Sequence, residues 1–439
     1  MKPVFPQDLA SWLDHLEQLH SQEIDLGLER VHQVAQRLAL PLRSEQRQAQ
    51  VIMLAGTNGK GSTLTLTQAL AQAAGCRTAS YTSPHFLHFN ERIQLDGQPV
   101  SDALIIDAFV QIEQARLAPT PISLSYFEFA TLAALVIFSA SDADLWLLEV
   151  GLGGRLDAVN LVDTDLAIIT TVDLDHQAFL GETREAIGAE KAGILRPGRP
   201  VVLGSRVMPH SVLQQAEQLG CPVYQLGRQF EHQTAPDTLT WQWQSKQPQS
   251  CRWDALPISP LPLDNLASAL QLAALSGWQL DQQQIAEVIR TTQLTGRMQR
   301  LGPWLLDVAH NPHAAHYLAQ RLSQAQPVRR LALLGAMADK DLEGVLEPLL
   351  PWISAWVVTA LPTPRACSAA ELAAQVEQLG GQVLYLGEEA SGEAVHRFLV
   401  AELESGRYDE VLVFGSFFTV AQQLHWLSGS TEQVSCATA

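Results

Sequence analysis

Positive charge is scarce in this chain: 28 Lys+Arg stand against 46 Asp+Glu, a formal net charge of −18. That deficit excludes nucleic-acid binding through a broad basic surface. It leaves room for a small anion, which needs only a local cradle of N–H groups and one or two cations. Cysteine is also sparse. The five, at 76, 221, 251, 367 and 436, form no C-x-x-C pair, which removes a zinc knuckle or redox dithiol and fits a reducing compartment. The longest strongly apolar stretch, 130–140, is far short of the ~20 residues a membrane-spanning helix needs. The opening segment is amphipathic, carries acids, and lacks the apolar core and cleavage site of a secretory signal. These absences predict a soluble cytoplasmic protein without nucleic-acid or membrane partners.

Apolar material is plentiful. Hydrophobic residues make 47 % of the 439 and charged residues 17 %, which excludes disorder and suffices for two or three domains. Leu9, Trp12, Leu13, Leu16 and Leu19 fall at helical spacing and predict a first helix with one buried face. Val51–Ala55 reads as a strand, followed by a Gly-rich turn and a helix from Ser62 to Ala74. Leu145–Val150, Leu166–Val172 and Pro200–Leu203 are further apolar runs without in/out alternation, as expected of strands covered on both faces. Residues 228–260 differ: they are rich in Gln, Trp and Thr, and TLTWQWQ alternates, predicting an antiparallel excursion. Asp264–Ser276 returns to a helix. Beyond a boundary placed at 296, Trp304–Val308, Arg330–Leu334, Trp356–Thr359, Val383–Leu386 and Glu410–Phe414 predict a second, smaller α/β domain over 297–439. From about Thr431 the chain reads as a polar tail.

The strongest chemical signal is Gly56-Thr57-Asn58-Gly59-Lys60-Gly61-Ser62-Thr63. It follows a strand and opens a helix, the context a phosphate loop requires. Glycines let backbone N–H groups converge on phosphate oxygens, Lys60 can pair with the β/γ-phosphates, and Ser62 can reach Mg2+. The loop departs from G-x4-G-K-[ST], because Leu54 stands at the first Gly position and Gly61 follows the lysine. Glu149, at a strand end, is an acid that burial penalises unless it meets a cation or donors. Opposite a phosphate loop it is a candidate Mg2+ ligand. Asp173, Asp175 and His176 gather after the next strand. Asp307, His310 and Asn311 form a like cluster at a strand end in the second domain, where open parallel sheets bind ligands.

GTNGKGST is similar to the ATP loop of the Mur ligase superfamily. YTSPH (81–85), FNERI (89–93), EVGLGGRLDA (149–158), EKAGI (190–194), GRMQ (296–299), DVAHNPH (307–313) and FGS (414–416) follow in order. Together they resemble the folylpolyglutamate synthases, in the bacterial form that also acts on dihydropteroate. The resemblance implies a P-loop NTPase-like N-terminal domain over 1–296 and a Rossmann-like C-terminal domain, with the nucleotide between them. It implies an ATP-dependent ligase that joins L-glutamate to 7,8-dihydropteroate and to reduced folyl-glutamates through an acyl phosphate. ATP would meet Thr57, Asn58, Gly59, Lys60, Gly61, Ser62, Asn265, Arg297 and Asp307. Ser83, Glu149 and His176 would be ligands of one Mg2+, with a second site near Lys191, although residue type alone favours Asp173 or Asp175 over His176. Lys191 would be carbamylated by CO2 and would join Lys60 and His310 as catalytic residues. The pterin would lie against Leu26, Gly27, Ser125, Phe127, Leu156, Asp157 and Ala158, and glutamate against His310 and Ser416. A monomer is expected. Three alternatives stay open. One is polyglutamylation alone, one is another Mur-type ligase, and one is a nucleotide-binding module without ligase chemistry, which would leave the Asp307/His310/Ser416 cluster unexplained.

Overall fold

The computed structural model describes residues 5–20, 24–235, 240–247, 250–388 and 392–429; the tail from Thr431 and Cys436 lie outside them. Two compact units divide the chain. One runs to His85 and over Phe89–Thr292; the other takes Phe86–His88 and the chain from Gln293.

The first unit is built on an eight-stranded sheet: β1 (Gln50–Ala55), β2 (Thr78–Tyr81), β3 (Ile93–Leu95), β4 (Gln98–Pro99), β5 (Leu145–Glu149), β6 (Leu166–Ile169), β7 (Val201–Leu203) and β8 (Val223–Gln225), in the order β4-β3-β2-β5-β1-β6-β7-β8. From β2 to β8 the neighbours are parallel; β3 and β4 are antiparallel additions at one edge. Val51–Ala55 and Leu145–Glu149 are buried throughout, which accounts for their unbroken apolar character. The helix Leu9–Gln18 buries Leu9, Trp12, Leu13 and Leu16. Trp12 packs against Phe109 and Phe129.

The helix after β1 begins at Lys60 and stops at Ala73. β6 is shorter than its apolar run: it ends at Ile169, because Thr170–Asp173 leave the sheet to bond the phosphate loop. The predicted antiparallel excursion is a separate three-stranded sheet of β9 (Phe230–Thr234), β10 (Thr240–Ser245) and β11 (Cys251–Pro257), with β10 central and Trp241 and Trp243 buried.

The second unit carries a six-stranded sheet of β12 (Gln299–Leu301), β13 (Trp304–Leu306), β14 (Arg330–Leu334), β15 (Ala355–Thr359), β16 (Val383–Gly387) and β17 (Glu410–Phe414). Its order is β12-β13-β17-β14-β15-β16, parallel but for β12. Apolar clusters cover both faces. No helix among the described residues is long and apolar enough to cross a membrane.

Candidate active site

The phosphate loop bridges the C-terminal end of β1 and the helix Lys60–Ala73. Thr57 N–H donates to the Thr171 carbonyl (2.9 Å) and Asn58 N–H to Thr171 Oγ1 (3.0 Å). Thr170 Oγ1 donates to the Asn58 carbonyl (2.7 Å). Thr57 Oγ1 donates to the Asp173 carbonyl (3.2 Å) and accepts from Asp173 N–H (3.0 Å). Thr170, Thr171 and Asp173 therefore hold the loop in shape. Sequence reading missed this role, because hydroxyls after an apolar strand look like ordinary strand-end residues.

Gly59 is the N-cap of the loop helix, at φ +86°, and no side chain caps the first turn. The helix's leading N–H groups are thus left for an anion. Lys60 Nζ donates to the Gly56 carbonyl (3.0 Å). Asn265, buried in the helix Leu263–Ser276, lies against Gly59: a Cβ on Gly59 would stand 2.6 Å from Asn265 Oδ1. Gly59→Ala should therefore cost roughly 1–2 kcal/mol for the left-handed backbone alone. It should also displace Asn265. Thermal unfolding with and without MgADP reads both effects, as a lower Tm and a smaller rise on adding nucleotide.

Glu149 ends β5 in register with Leu54 of β1, is 5 % exposed, and accepts from Ser83 N–H at 3.3 Å. A buried carboxylate beside a serine offers the hard oxygen donors that Mg2+ takes, so the chemistry of this pair fits the metal. His176 stands at the start of a short helix in the left-handed region (φ +49°), its ring 3.9 Å from Asp175. Among the described residues no group of three or more His, Cys, Asp or Glu side chains forms a metal-holding cluster.

Lys191, on the helix Arg184–Ala192, is 4 % exposed. Burial first, then the charge of Lys60, brings its amine down to about 7, against the opposing pull of Asp175 and Asp157. Glycine makes this close approach possible: a Cβ on Gly154 would meet the Glu190 carbonyl at 2.9 Å and the Lys191 carbonyl at 3.1 Å. Arg155 pairs with Glu190 at 2.8 Å.

The segments expected to meet the pterin fall into two groups, one on the loop 151–158 and one joined through Arg30. Asp157 accepts from Leu152 N–H (2.8 Å) and Val159 N–H (2.9 Å); burial still pushes its carboxyl up to about 6. Phe127 packs on Gly151, where a Cβ would stand 2.7 Å from the ring, and lies 6.0 Å from Tyr81. Ser125 caps the helix Tyr126–Ser139 in a reciprocal box with Glu128. Glu128 meets Arg30 at 3.3 Å, and Arg30 also pairs with Asp25 beside Leu26 and Gly27. Leu156 and Ala158 flank Asp157.

In the second unit, Asp307 follows β13 and accepts from Met298 N–H and Ala309 N–H, both at 2.9 Å. Burial raises its pKa, with Arg297 and those two N–H groups opposing. Arg297 stacks over Phe417 at 5.4 Å, and His310 lies 6.4 Å from the same ring. His310 Nδ1 is 2.8 Å from the Val308 carbonyl, so Nδ1 carries the proton and Nε2 is the acceptor in the neutral ring. Ser416 caps the helix Phe417–Ser428 and accepts from Phe418 N–H (2.9 Å). Arg297, Asp307, His310 and Ser416 thus gather at the ends of β13 and β17. Phe417, which no motif singled out, is the platform two of them share.

Comparisons with known proteins find similar chains along the whole length. Residues 296–417 match the family model described as the Mur ligase, glutamate ligase domain. The dihydrofolate synthase/folylpolyglutamate synthase of Haemophilus influenzae is 38 % identical, over 94 % of this chain and 96 % of that protein. The structure of Escherichia coli FolC in complex with DHPP and ADP superposes with a TM-score of 0.87 at 36 % identity, over 96 % of this chain and 98 % of that one. A bifunctional folylpolyglutamate synthase/dihydrofolate synthase with Mn, AMPPNP and L-glutamate bound gives 0.85 at 38 %, over 98 % of this chain and 100 % of that one.

Proposed function

The chain belongs to the dihydrofolate synthase/folylpolyglutamate synthase family of Mur-type ligases, and we propose that its two site clusters divide the ligase reaction between them. The activity is ATP-dependent amide formation between L-glutamate and either dihydropteroate or a reduced folyl-glutamate. In the first half, the acid's carboxylate attacks the γ-phosphorus, forming an acyl phosphate and releasing ADP. In the second, the α-amino group of glutamate adds to the acyl carbon, and inorganic phosphate leaves as the amide forms.

The uncapped helix start at Gly59 carries this assignment. Its N–H groups and Lys60 stabilise charge on the transferring phosphoryl group. Thr57, Asn58, Gly61, Ser62 and Asn265 complete the nucleotide contacts of the first unit; Arg297 and Asp307 are assigned to the nucleotide in the second. Ser83, Glu149 and His176 are the residues assigned to Mg2+, which when bound neutralises phosphate charge. A second ion beside Lys191 is part of the proposal. Leu26, Gly27, Ser125, Phe127, Leu156, Asp157 and Ala158 hold the pterin. His310 and Ser416 hold glutamate, His310 Nε2 being the acceptor able to take a proton from the ammonium group. Lys191, with its lowered pKa, supplies the neutral amine that carbamylation needs: nitrogen bonds to the carbon of CO2 and loses a proton, turning a neutral group into an anion. We place the enzyme in the cytoplasm as a monomer acting on small molecules, with 297–439 as its glutamate-ligase domain.

Phosphate release from MgATP and glutamate tests the reading. Release on adding dihydropteroate, and again on adding reduced folyl-monoglutamate, is the expected result. Release with the folyl substrate alone reduces the enzyme to polyglutamylation and removes the pterin assignments. Release only with a UDP-muramyl peptide overturns the substrate class.

A further inference from the structure

The small sheet of β9, β10 and β11 has no place in the reaction above, yet it reaches the phosphate loop through two residues. His232, on β9, puts Nε2 2.6 Å from Asp264 Oδ1. Asp264 lies in the first turn of the helix Leu263–Ser276, immediately before Asn265. No side chain caps that helix. Asp264 is held from a second side, since Arg206 also approaches it at 3.4 Å while pairing with Glu231. His232 is itself held: its ring meets Trp241 edge-on at 6.1 Å, and Trp241 is 1 % exposed and donates from Nε1 to the Pro257 carbonyl (2.9 Å). Among the described residues His232 Nδ1 is buried and has no hydrogen-bond partner. A carboxylate only accepts, so Nε2–H is the donor in the contact with Asp264.

We propose that His232 and Asp264 are positioning residues for the nucleotide, and that the small sheet is a buttress that holds Asn265 against Gly59. The chain of contacts runs Trp241, His232, Asp264, Asn265, Gly59. The links are a packed ring, a hydrogen bond, the peptide bond between Asp264 and Asn265, and a close approach, so a loosened His232 lets the helix start drift away from the loop. The inference rests on the assignment of Asn265 to the nucleotide.

Calorimetric titration of the full-length protein with MgADP, together with steady-state kinetics, decides the matter. His232→Ala should weaken MgADP binding and raise KM for ATP by roughly tenfold, the loss of one hydrogen bond to a charged group. It should leave kcat and KM for dihydropteroate unchanged. His232→Gln places an amide N–H near the Nε2 position and should restore binding. A merely structural role would lower Tm in both variants without that split. Wild-type MgADP affinity in His232→Ala, beside weak binding in Asn265→Ala, overturns the buttress alone. Wild-type affinity in Asn265→Ala overturns the assignment of Asn265, and the buttress with it.

Discussion

Lys60→Ala should lower kcat by roughly 10²–10³ while leaving the fold and KM for dihydropteroate close to wild type. The fold should tolerate it because the amine is only partly buried and its hydrogen bond goes to the Gly56 carbonyl of its own loop. What is lost is a cation at the helix start, where the proposed mechanism develops charge on the transferring phosphoryl group. The same substitution carries a second readout. Lys60 is one of the charges that lower Lys191, after burial. Removing it should raise Lys191's pKa and move the acidic limb of the pH–rate profile to higher pH. A rate loss without that movement would mean Lys60 does not act on Lys191 through space. Near-wild-type turnover would remove Lys60 from the chemistry altogether.

The phosphate loop was legible because every element of it is local: a buried strand, glycines, a lysine and a helix start fall within a dozen residues. What holds the loop was not legible. Thr170, Thr171 and Asp173 lie more than a hundred residues away, and nothing in TTVD marks those side chains as partners of Thr57 and Asn58. Asn265 against Gly59 is a still longer-range pairing; the family resemblance names Asn265 as a nucleotide contact but not its place against Gly59. The three-stranded excursion was readable from the alternation in TLTWQWQ, but its link to the nucleotide helix through His232 was not. β2 shows another limit. Thr78–Tyr81 is fully buried between β3 and β5, yet Thr-Ala-Ser-Tyr carries too few large apolar side chains to announce a central strand.

Lys191 shows how burial escapes sequence reasoning. A lysine on a nine-residue helix with Arg, Glu and Glu neighbours reads as solvent-facing. It is buried because Gly154 lets the preceding loop pack on the helix backbone, and because Gly193, where a Cβ would stand 2.5 Å from Arg155 Cα, does the same one turn on. Small residues at 154 and 193 set the environment of 191, a relation no spacing rule encodes. The packing of Phe127 on Gly151 has the same origin: the glycine of the 149–158 loop admits a ring from a different part of the chain.

Lys191→Met should make the protein more stable at neutral pH and nearly inactive. The amine's pKa in the folded chain is about 7, below its ordinary value of 10.5. Between those limits the unfolded chain binds a proton that the native state does not, so stability rises with pH across that window. Below about pH 7 both states are charged and the burial cost is present in full. Methionine fills a similar volume without the charge. The variant should therefore gain about 1–4 kcal/mol at pH 7, the range found when buried charges give way to apolar side chains. Its stability should also lose the rise with pH between about 7 and 10. On the proposed carbamylation, the destabilising lysine has a use, because the neutral amine is the group CO2 can modify. Turnover of the wild type should fall in CO2-free buffer, return on adding bicarbonate, and stay absent in Lys191→Met under either condition. Chemical denaturation at pH 7 and pH 9 measures the first half of the prediction, and phosphate release with and without bicarbonate the second. A variant with unchanged pH dependence of stability would mean the lysine is not held neutral by burial. Bicarbonate-independent turnover in the wild type would confine Lys191 to an unmodified role.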